Sequence, residues 1–480
     1  MAQFKLPIEA FNSSESLVLY GTGNVANQYM DQIEAMGAED KIAFFVNTYP
    51  SEAKEFRGKP LLSLQQLQEL PDKQQWVYVV AAYLDNQSIV DTLQELGIES
   101  SKIVTPMAVE TGSNAVYYPL YRGTVKHIVV YPEIEDDHVR NDLERRFDWY
   151  LPNRSDLNLF IRQHSVLEDE WRQQLKECDL ILVWNKDRLG DNSLKANKAK
   201  TACVDPEYVD TPEAVIYSNL FYRTLDNKKK KQFLSQSIVN FESLKDRFKN
   251  IDIAYVFGTG PSLEQAWDME FKPSIKIICN SIIKNPDLIE KIGADIFVFS
   301  DPLWVSYTRL GEEFRTSLLA FLENKQRYCI VPEYYVPLLL AYYPEIKEQL
   351  IGIPVTSSTF NIPSVQSFTV KQTYNVMTRL GLTAASALAK SVYILGCDGI
   401  PITEDREWEH SKSAPVDVED EVYTAHASFF REHDPRAYCE RHYRLMEELL
   451  IYGERRGITY RSLAPSYIPA LASRQIDSTE

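Results

Sequence analysis

The stretch that most constrains this chain runs from Ile253 to Asn280: I-A-Y-V-F-G-T-G-P-S-L-E-Q-A, then a short connection, then I-K-I-I-C-N. Ile253 to Phe257 is an unbroken run of β-branched and aromatic residues, which predicts a buried strand. The run breaks at Gly258-Thr259-Gly260. A helix is expected next, with Pro261 in its first turn, Ser262 as a cap and Glu264 at the positive end of the dipole. A strand that ends in glycines and feeds a helix gathers free backbone N–H groups at one point, a natural seat for a phosphate. The following strand, Ile275 to Cys279, ends in Asn280, whose amide both donates and accepts. The alternative is a tight strand-to-helix turn that holds no ligand, since short glycine motifs recur by chance.

A chain of 480 residues exceeds one ordinary core, so two or three domains are expected. Hydrophobic residues make up 44% and charged residues 25%, the balance of a water-soluble globular protein. No apolar run is long enough for a membrane span, and the first ten residues lack the apolar core of a signal peptide. Six cysteines without a C-x-x-C pair argue against a disulfide framework or structural zinc, so a cytoplasmic protein with reduced thiols is expected. A net charge of −17 argues against nucleic acid as a partner. Lys228-Lys229-Lys230-Lys231 is read as a solvated helix start, with contact to a membrane surface as the alternative.

Residues 15 to 115 carry a βαβαβ rhythm. Leu17 to Tyr20 reads as a strand, followed by Gly21-Thr22-Gly23-Asn24-Val25-Ala26 and a helix. Strands at Ile42 to Val46 and Trp76 to Ala81 alternate with helices at Leu64 to Leu70 and Asn86 to Leu96. This is a G-x-G-x-x-A dinucleotide-type fingerprint in the right context. The ribose-binding acid expected at the end of the second strand is replaced by Asn47. Gly21, Gly23, Asn24 and Asn47 are the ligand-site residues of this unit, if it holds a ligand; an empty scaffold is the alternative. The unit resembles the small nucleotide- or sugar-binding Rossmann modules appended to bacterial carbohydrate enzymes.

Between 116 and 250, strands are expected at His127 to Tyr131, Leu180 to Trp184 and Thr201 to Val204, with helices at Asp142 to Trp149 and Leu167 to Cys178. Gln232 to Lys249 is amphipathic and reads as a connecting helix. Glu133 to Asp137 is an acidic run, read as a solvated loop in preference to a metal site. Beyond 251 the α/β rhythm returns with longer loops. Strands are expected at Ile296 to Phe299, Tyr328 to Val331, Val392 to Leu395 and Ile458 to Tyr460. Helices are expected within Leu303 to Leu322, Tyr334 to Leu350, Thr383 to Lys390 and Pro435 to Arg455. Four polar positions then fall at strand ends: the Gly258 turn, Asn280, Asp301 and Asp398. In an open parallel sheet such ends converge on one ligand crevice.

The order G-x-G-P-S-L, C-N, D-P, a small-residue helix, then Y-I-L-G-x-D resembles the bacterial sialyltransferases of glycosyltransferase family 42 over residues 251 to 470. It is also similar to the motility accessory factor proteins and to a domain of archaeal pterin pyrophosphokinases. The resemblance implies that Gly258, Thr259, Gly260, Pro261 and Ser262 meet the phosphate and ribose of a CMP-sugar, with Asn280 on the nucleotide. The family favours Asn where Thr259 stands and carries Asn where Asp301 stands. Asp398 matches the Asp of the G-x-D turn, but Gly399-Ile400-Pro401 replaces a tyrosine-bearing stretch, so Tyr423 is the stand-in phenol. The implied reaction is inverting transfer with a histidine as general base. His433 is the first choice, His426 the second and His410 the third, with His442 assigned a structural role. Arg431 and Arg436 would meet the donor carboxylate. No metal or cofactor is required on this scheme, and Asp417 and Asp420 make a poor D-x-D.

The resulting expectation is a multi-domain α/β protein of Rossmann-like parallel sheets flanked by helices: residues 1–115, residues 116–250, and a sialyltransferase-like domain over 251–480. The expected activity is transfer of a sialic acid or related nonulosonate from CMP to a glycan, glycolipid or glycoprotein. A pterin pyrophosphokinase-like enzyme and a non-catalytic nucleotide-sugar binding protein are the alternatives.

Overall fold

The computed structural model describes residues 14, 16–35, 38–48, 53–81, 86–105, 124–152, 157–161, 168–195, 197, 200–204, 216–356, 360–373, 375–401, 409–415 and 435–476. The chain is an α/β protein whose sheets are almost wholly parallel and are flanked by helices. The described residues up to 105 belong to one compact unit and those from 124 onward to another. The described residues of 116–250 and those of 251–480 thus share a unit.

The first unit holds β1 (Leu17–Tyr20), β2 (Ile42–Asn47), β3 (Glu55–Phe56), β4 (Lys59–Ser63), β5 (Val77–Val80) and β6 (Ile103–Val104). Their order is β3-β4-β2-β1-β5-β6, antiparallel only between β3 and β4. The alternation of β1 sends Leu17 and Leu19 to one face and Val18 and Tyr20 to the other. One face packs on Val25, Tyr29 and Ile33 of the Asn24–Ala35 helix. The other packs on Leu67, Ile89 and Leu93 of the Leu64–Glu69 and Asn86–Glu95 helices. A Ser63–Gln66 capping box opens the Leu64 helix.

The second unit begins with β7 (His127–Tyr131), β8 (Asn158–Ile161), β9 (Leu180–Val183) and β10 (Thr201–Cys203), ordered β10-β9-β7-β8 and all parallel. Asp136, from the acidic run, caps the Asp137–Tyr150 helix by accepting from His138 N and Val139 N. Among the described residues, no group of three or more His, Cys, Asp or Glu is placed to hold a metal. Trp149 on that helix stacks on Tyr342 at 4.2 Å and donates its indole N–H to Val305 O. This small sheet is thereby fastened to the large one.

The large sheet contains β11 (Ile253–Phe257), β12 (Ile275–Cys279), β13 (Ile296–Val298), β14 (Tyr328–Pro332) and β15 (Leu350–Ile353). A short parallel pair follows, β16 (Val355–Thr356) and β17 (Val370–Lys371), and then β18 (Ser391–Leu395) and β19 (Thr459–Ser462) complete the sheet. The order is β15-β14-β13-β12-β11-β18-β19, all parallel. Its central strands read as continuous apolar runs because helices cover both faces. Each fully buried Ile, Val or Phe contributes about 2 kcal/mol.

Several elements differ from the sequence reading. The Tyr334 to Leu350 stretch is not one helix: a turn at Glu333–Tyr335, a helix at Val336–Tyr342 and a turn at Pro344–Ile346 lead into β15. β8 and β15 are not expected from the sequence because Asn158 opens the one and Gly352 interrupts the other, so neither reads as a continuous apolar run. The Asn227–Phe248 helix covers the free edge of β15, with Ser237 Oγ accepting from Gly352 N at 3.0 Å and Asn240 donating to Leu350 O at 2.8 Å. Those bonds close an edge that would otherwise pair with another chain. Asp226 caps this helix, and Lys230 of the lysine run lies over the Tyr222 ring. None of the six cysteines forms a disulfide, and among the described residues no helix is long and apolar enough to cross a membrane.

Candidate active site

The chain runs outward from β11 to β15 in one direction, then returns to place β18 on the other side of β11. The reversal lies between β11 and β18, so their carboxyl ends flank the crevice that such a switch point opens. Gly258-Thr259-Gly260 follows β11 and Gly396-Cys397-Asp398 follows β18.

The two turns are locked together. Gly258 N donates to Leu395 O and Gly260 N to Gly396 O, both at 2.8 Å. Ser262 N donates to the Asp398 carboxylate at 3.1 and 3.2 Å, and Ser262 Oγ donates to it at 3.0 Å. Gly396 N donates in turn to Ser262 Oγ. The amides of Gly258, Gly260 and Ser262, expected to form a phosphate seat, are therefore engaged within the protein. The glycine amides are taken by carbonyls at the end of β18, and the Ser262 amide by a carboxylate 136 residues downstream. Burial lifts the Asp398 carboxyl above its ordinary range, the Ser262 hydrogen bonds oppose that rise, and Glu409 adds to it. The expected α-helix is a 3-10 turn, Pro261–Trp267, with Gly260 and not Ser262 at its N-cap.

Residues 409–415 lie across this corner. Ser411 N donates to Thr259 O at 2.8 Å. Glu264 accepts from Ser411 Oγ at 2.5 Å and from Ser413 N and Oγ at 2.8 and 3.0 Å. Trp267 donates to Ser413 Oγ, and Ser281 Oγ donates to Ala414 O. Burial raises the Glu264 carboxyl, but the Ser411 and Ser413 bonds outweigh it and leave the group below the usual carboxylate range. His410 is half-buried beside the glycine turn as a result.

Asn280 sits at the end of β12 in the left-handed region, φ +47°, a conformation Asn tolerates better than most residues. Its Oδ1 is buried and has no hydrogen-bond partner among the described residues. Asp301 ends the β13 connection and caps the next turn by accepting from Leu303 N at 3.0 Å. Gly399 has φ +68°, and a Cβ there would press on Ile468 and on the Tyr443 hydroxyl. Of the other expected residues, His433, His426, Tyr423 and Arg431 lie outside the described residues, as does the Arg436 side chain. His442 packs between Tyr438 and Tyr443, and burial holds its imidazole down to about 4, so it is neutral near pH 7.

The structure adds a group that the sequence reading did not single out. Before the Leu382–Leu388 helix, Met377–Gly381 forms a π-helical turn, a widening often found at functional positions. Met377 Sδ lies 3.7 Å from Cys279 Sγ, which sets the turn against the carboxyl end of β12. Arg379 on this turn is only 7% exposed. It donates to Thr373 O, and its Nε has no partner among the described residues. Burial raises the phenols of Tyr334, Tyr335 and Tyr438, and the Arg379 charge opposes that rise in all three. Asp301 acts on Tyr335 and Tyr438 from the other sign. The available signal was one arginine inside the otherwise uncharged run V-M-T-R-L-G-L-T-A-A.

In the first unit, Gly21 N donates to Val46 O and Thr22 Oγ1 to Asn47 Oδ1 at 3.0 Å. Asn47 thus holds the turn with its amide oxygen. Gly21 has φ +119°, while a Cβ on Gly23 would meet nothing within 4 Å.

No family model matches the chain, and no curated protein matches it. Among solved structures, the chain is similar to the monofunctional alpha-2,3-sialyltransferase Cst-I from Campylobacter jejuni, at 14% identity over 45% of this chain and 77% of that one. The TM-score is 0.27, too low to carry fold or activity across.

Proposed function

We propose that this chain is a glycosyltransferase acting on a CMP-activated acidic sugar, a sialic acid or related nonulosonate, at the β11/β18 switch point. The acceptor is a glycan, glycolipid or glycosylated protein. The observation that carries the reading is the Ser411 N to Thr259 O bond, which ties the histidine-bearing 409–415 segment to the turn at the switch point. A general base is useful only within reach of the crevice that holds the donor.

On this reading the bond between the anomeric carbon and the phosphate oxygen breaks, and CMP leaves with the electron pair. The acceptor oxygen attacks from the opposite face, and its proton passes to a histidine. Of the three candidate histidines, His410 is the one among the described residues; His433 and His426 remain the alternatives on the chain. The scheme calls on no metal or cofactor.

The Asp398 lock favours a second reading, a nucleotide-sugar binding protein without turnover, because it removes amides that a departing phosphate would use. One assay separates them. Purified protein is incubated with CMP-sialic acid and related CMP-sugars, with and without glycan acceptors, and CMP release is measured. The transferase reading expects acceptor-dependent release that falls about 100-fold or more in one of His410→Ala, His426→Ala or His433→Ala. Release that survives all three substitutions removes the base assignment. CMP binding without release on any acceptor supports the binding protein.

A further inference from the structure

Arg379 is a permanent cation, removed from water, with a backbone carbonyl as its hydrogen-bond acceptor and an unpartnered Nε. Buried charges are ordinarily paired, because desolvation without a partner is costly. Among the described residues none forms an ion pair with it; Asp301 approaches the same phenols but does not bridge to the guanidinium. The phenols that feel its charge, Tyr334, Tyr335 and Tyr438, are themselves uncharged near neutral pH.

The position is also specific. The turn that carries Arg379 lies against Cys279, one residue before Asn280 with its own unpartnered Oδ1. Gly381 packs over Val256 and Val298 of β11 and β13, so the turn stands over the central strands near their carboxyl ends. The amides that usually receive an anion at such a switch point are already engaged with Asp398 and with backbone carbonyls. A cation with no counter-ion among the described residues therefore stands near an anion seat that is filled from within.

We propose that Arg379, and not the glycine turn, receives the anionic group of the ligand in this crevice, a carboxylate or phosphate borne by an activated acidic sugar. The guanidinium offers a planar fork, which matches two oxygens of either group. The identity of the ligand rests on the transferase reading; the need for an anion rests on Arg379 alone.

The test is calorimetric titration at low ionic strength of the full chain and of Arg379→Met, with inorganic phosphate, N-acetylneuraminate, CMP and cytidine as probes. Phosphate or N-acetylneuraminate is expected to bind the wild-type chain and to bind Arg379→Met at least about tenfold more weakly, while cytidine affinity is unchanged. The probe that shows the loss tells whether the fork takes phosphate or carboxylate. Equal affinity in the two chains overturns the proposal, and so does failure of both anions to bind wild type at about 10 mM. If Arg379→Met does not fold, hydrogen exchange on the wild-type chain decides. Bound phosphate or N-acetylneuraminate should slow amides 375–381 and leave 258–262 unchanged, and the reverse pattern sinks the idea. Arg379-dependent anion binding without turnover of any CMP-sugar would end the transferase reading and leave this one standing. Turnover with unchanged KM in Arg379→Met would do the opposite.

Discussion

The chain uses the tripeptide Gly-Thr-Gly twice after a buried strand, at Gly21 to Gly23 and at Gly258 to Gly260, and the two copies meet different neighbours. In the first unit the turn follows β1, which lies between β2 and β5, and it enters the α-helix Asn24–Ala35. Space around Gly23 is open. In the second unit the turn follows β11, enters a 3-10 helix, and is filled by Asp398. A glycine motif therefore marks where a backbone comes close to something. Whether that something is a ligand or the protein's own carboxylate is settled by what the opposite strand brings.

The sharpest way to break this comparison is to add the same methyl group to both turns. In Gly260→Ala the new Cβ would meet Asp398 Oδ2 and Gly396 O. A loss of about 3 kcal/mol or more is expected, read as a fall in the denaturant midpoint of the second unit. Gly23→Ala should leave folding within about 0.5 kcal/mol of wild type. Equal costs at the two positions would dissolve the contrast.

Acid is expected to act on the units unequally as well. None of the seven histidines lies in residues 1–115, whereas His442 is held down to about 4 by burial. A histidine whose folded pKa lies below its unfolded value of about 6.5 leaves stability untouched above that value and removes it as pH falls from there toward the folded value. The second unit should thus lose about 2 kcal/mol by pH 5. His442→Phe should flatten that slope in urea titrations from pH 7 to 5, while the first unit stays level. An unchanged slope would show that His442 is not the group responsible.

Replacing Asp398 by Ala tests the seat itself. It leaves Ser262 N–H and Oγ–H without their acceptor, at a cost of about 1–3 kcal/mol. It also frees the Ser262 amide, so phosphate should then slow hydrogen exchange at 262, which it should not do in the wild-type chain. The smallest effect is expected from Glu264→Gln. The neutral amide weakens three bonds to Ser411 and Ser413, costing about 1 kcal/mol, and exchange at 409–415 should quicken with little change in global stability.

Much of the fold was legible because parallel strands buried on both faces must be apolar throughout. β1, β7, β11, β12 and β18 stand out on that ground. β8 and β15 did not: β8 opens on Asn158, Gly352 interrupts β15, and β15 continues an apolar stretch that reads as helix. At the site, the convergence of the Gly258 turn and Asp398 could be read from their places at strand ends. The bond between them could not, because it joins residues 136 apart in the chain. Asp301 behaves as a cap to the turn after it, a local role that its D-P context suggests. Arg379 was overlooked because an arginine in a helical run ordinarily points to water, and only the packing of the π-helical turn shows that this one is buried.

By itself the sequence determined the α/β class, the strands that form the centre of each sheet, and the positions where glycine and proline end them, since these follow from local periodicity and backbone sterics. Only the tertiary structure decided which amides at those ends are engaged, which carboxylate takes one of them, and which cation has no ion pair among the described residues. Hydrogen-bond satisfaction and desolvation depend on groups brought together from distant parts of the chain, and no local pattern encodes them.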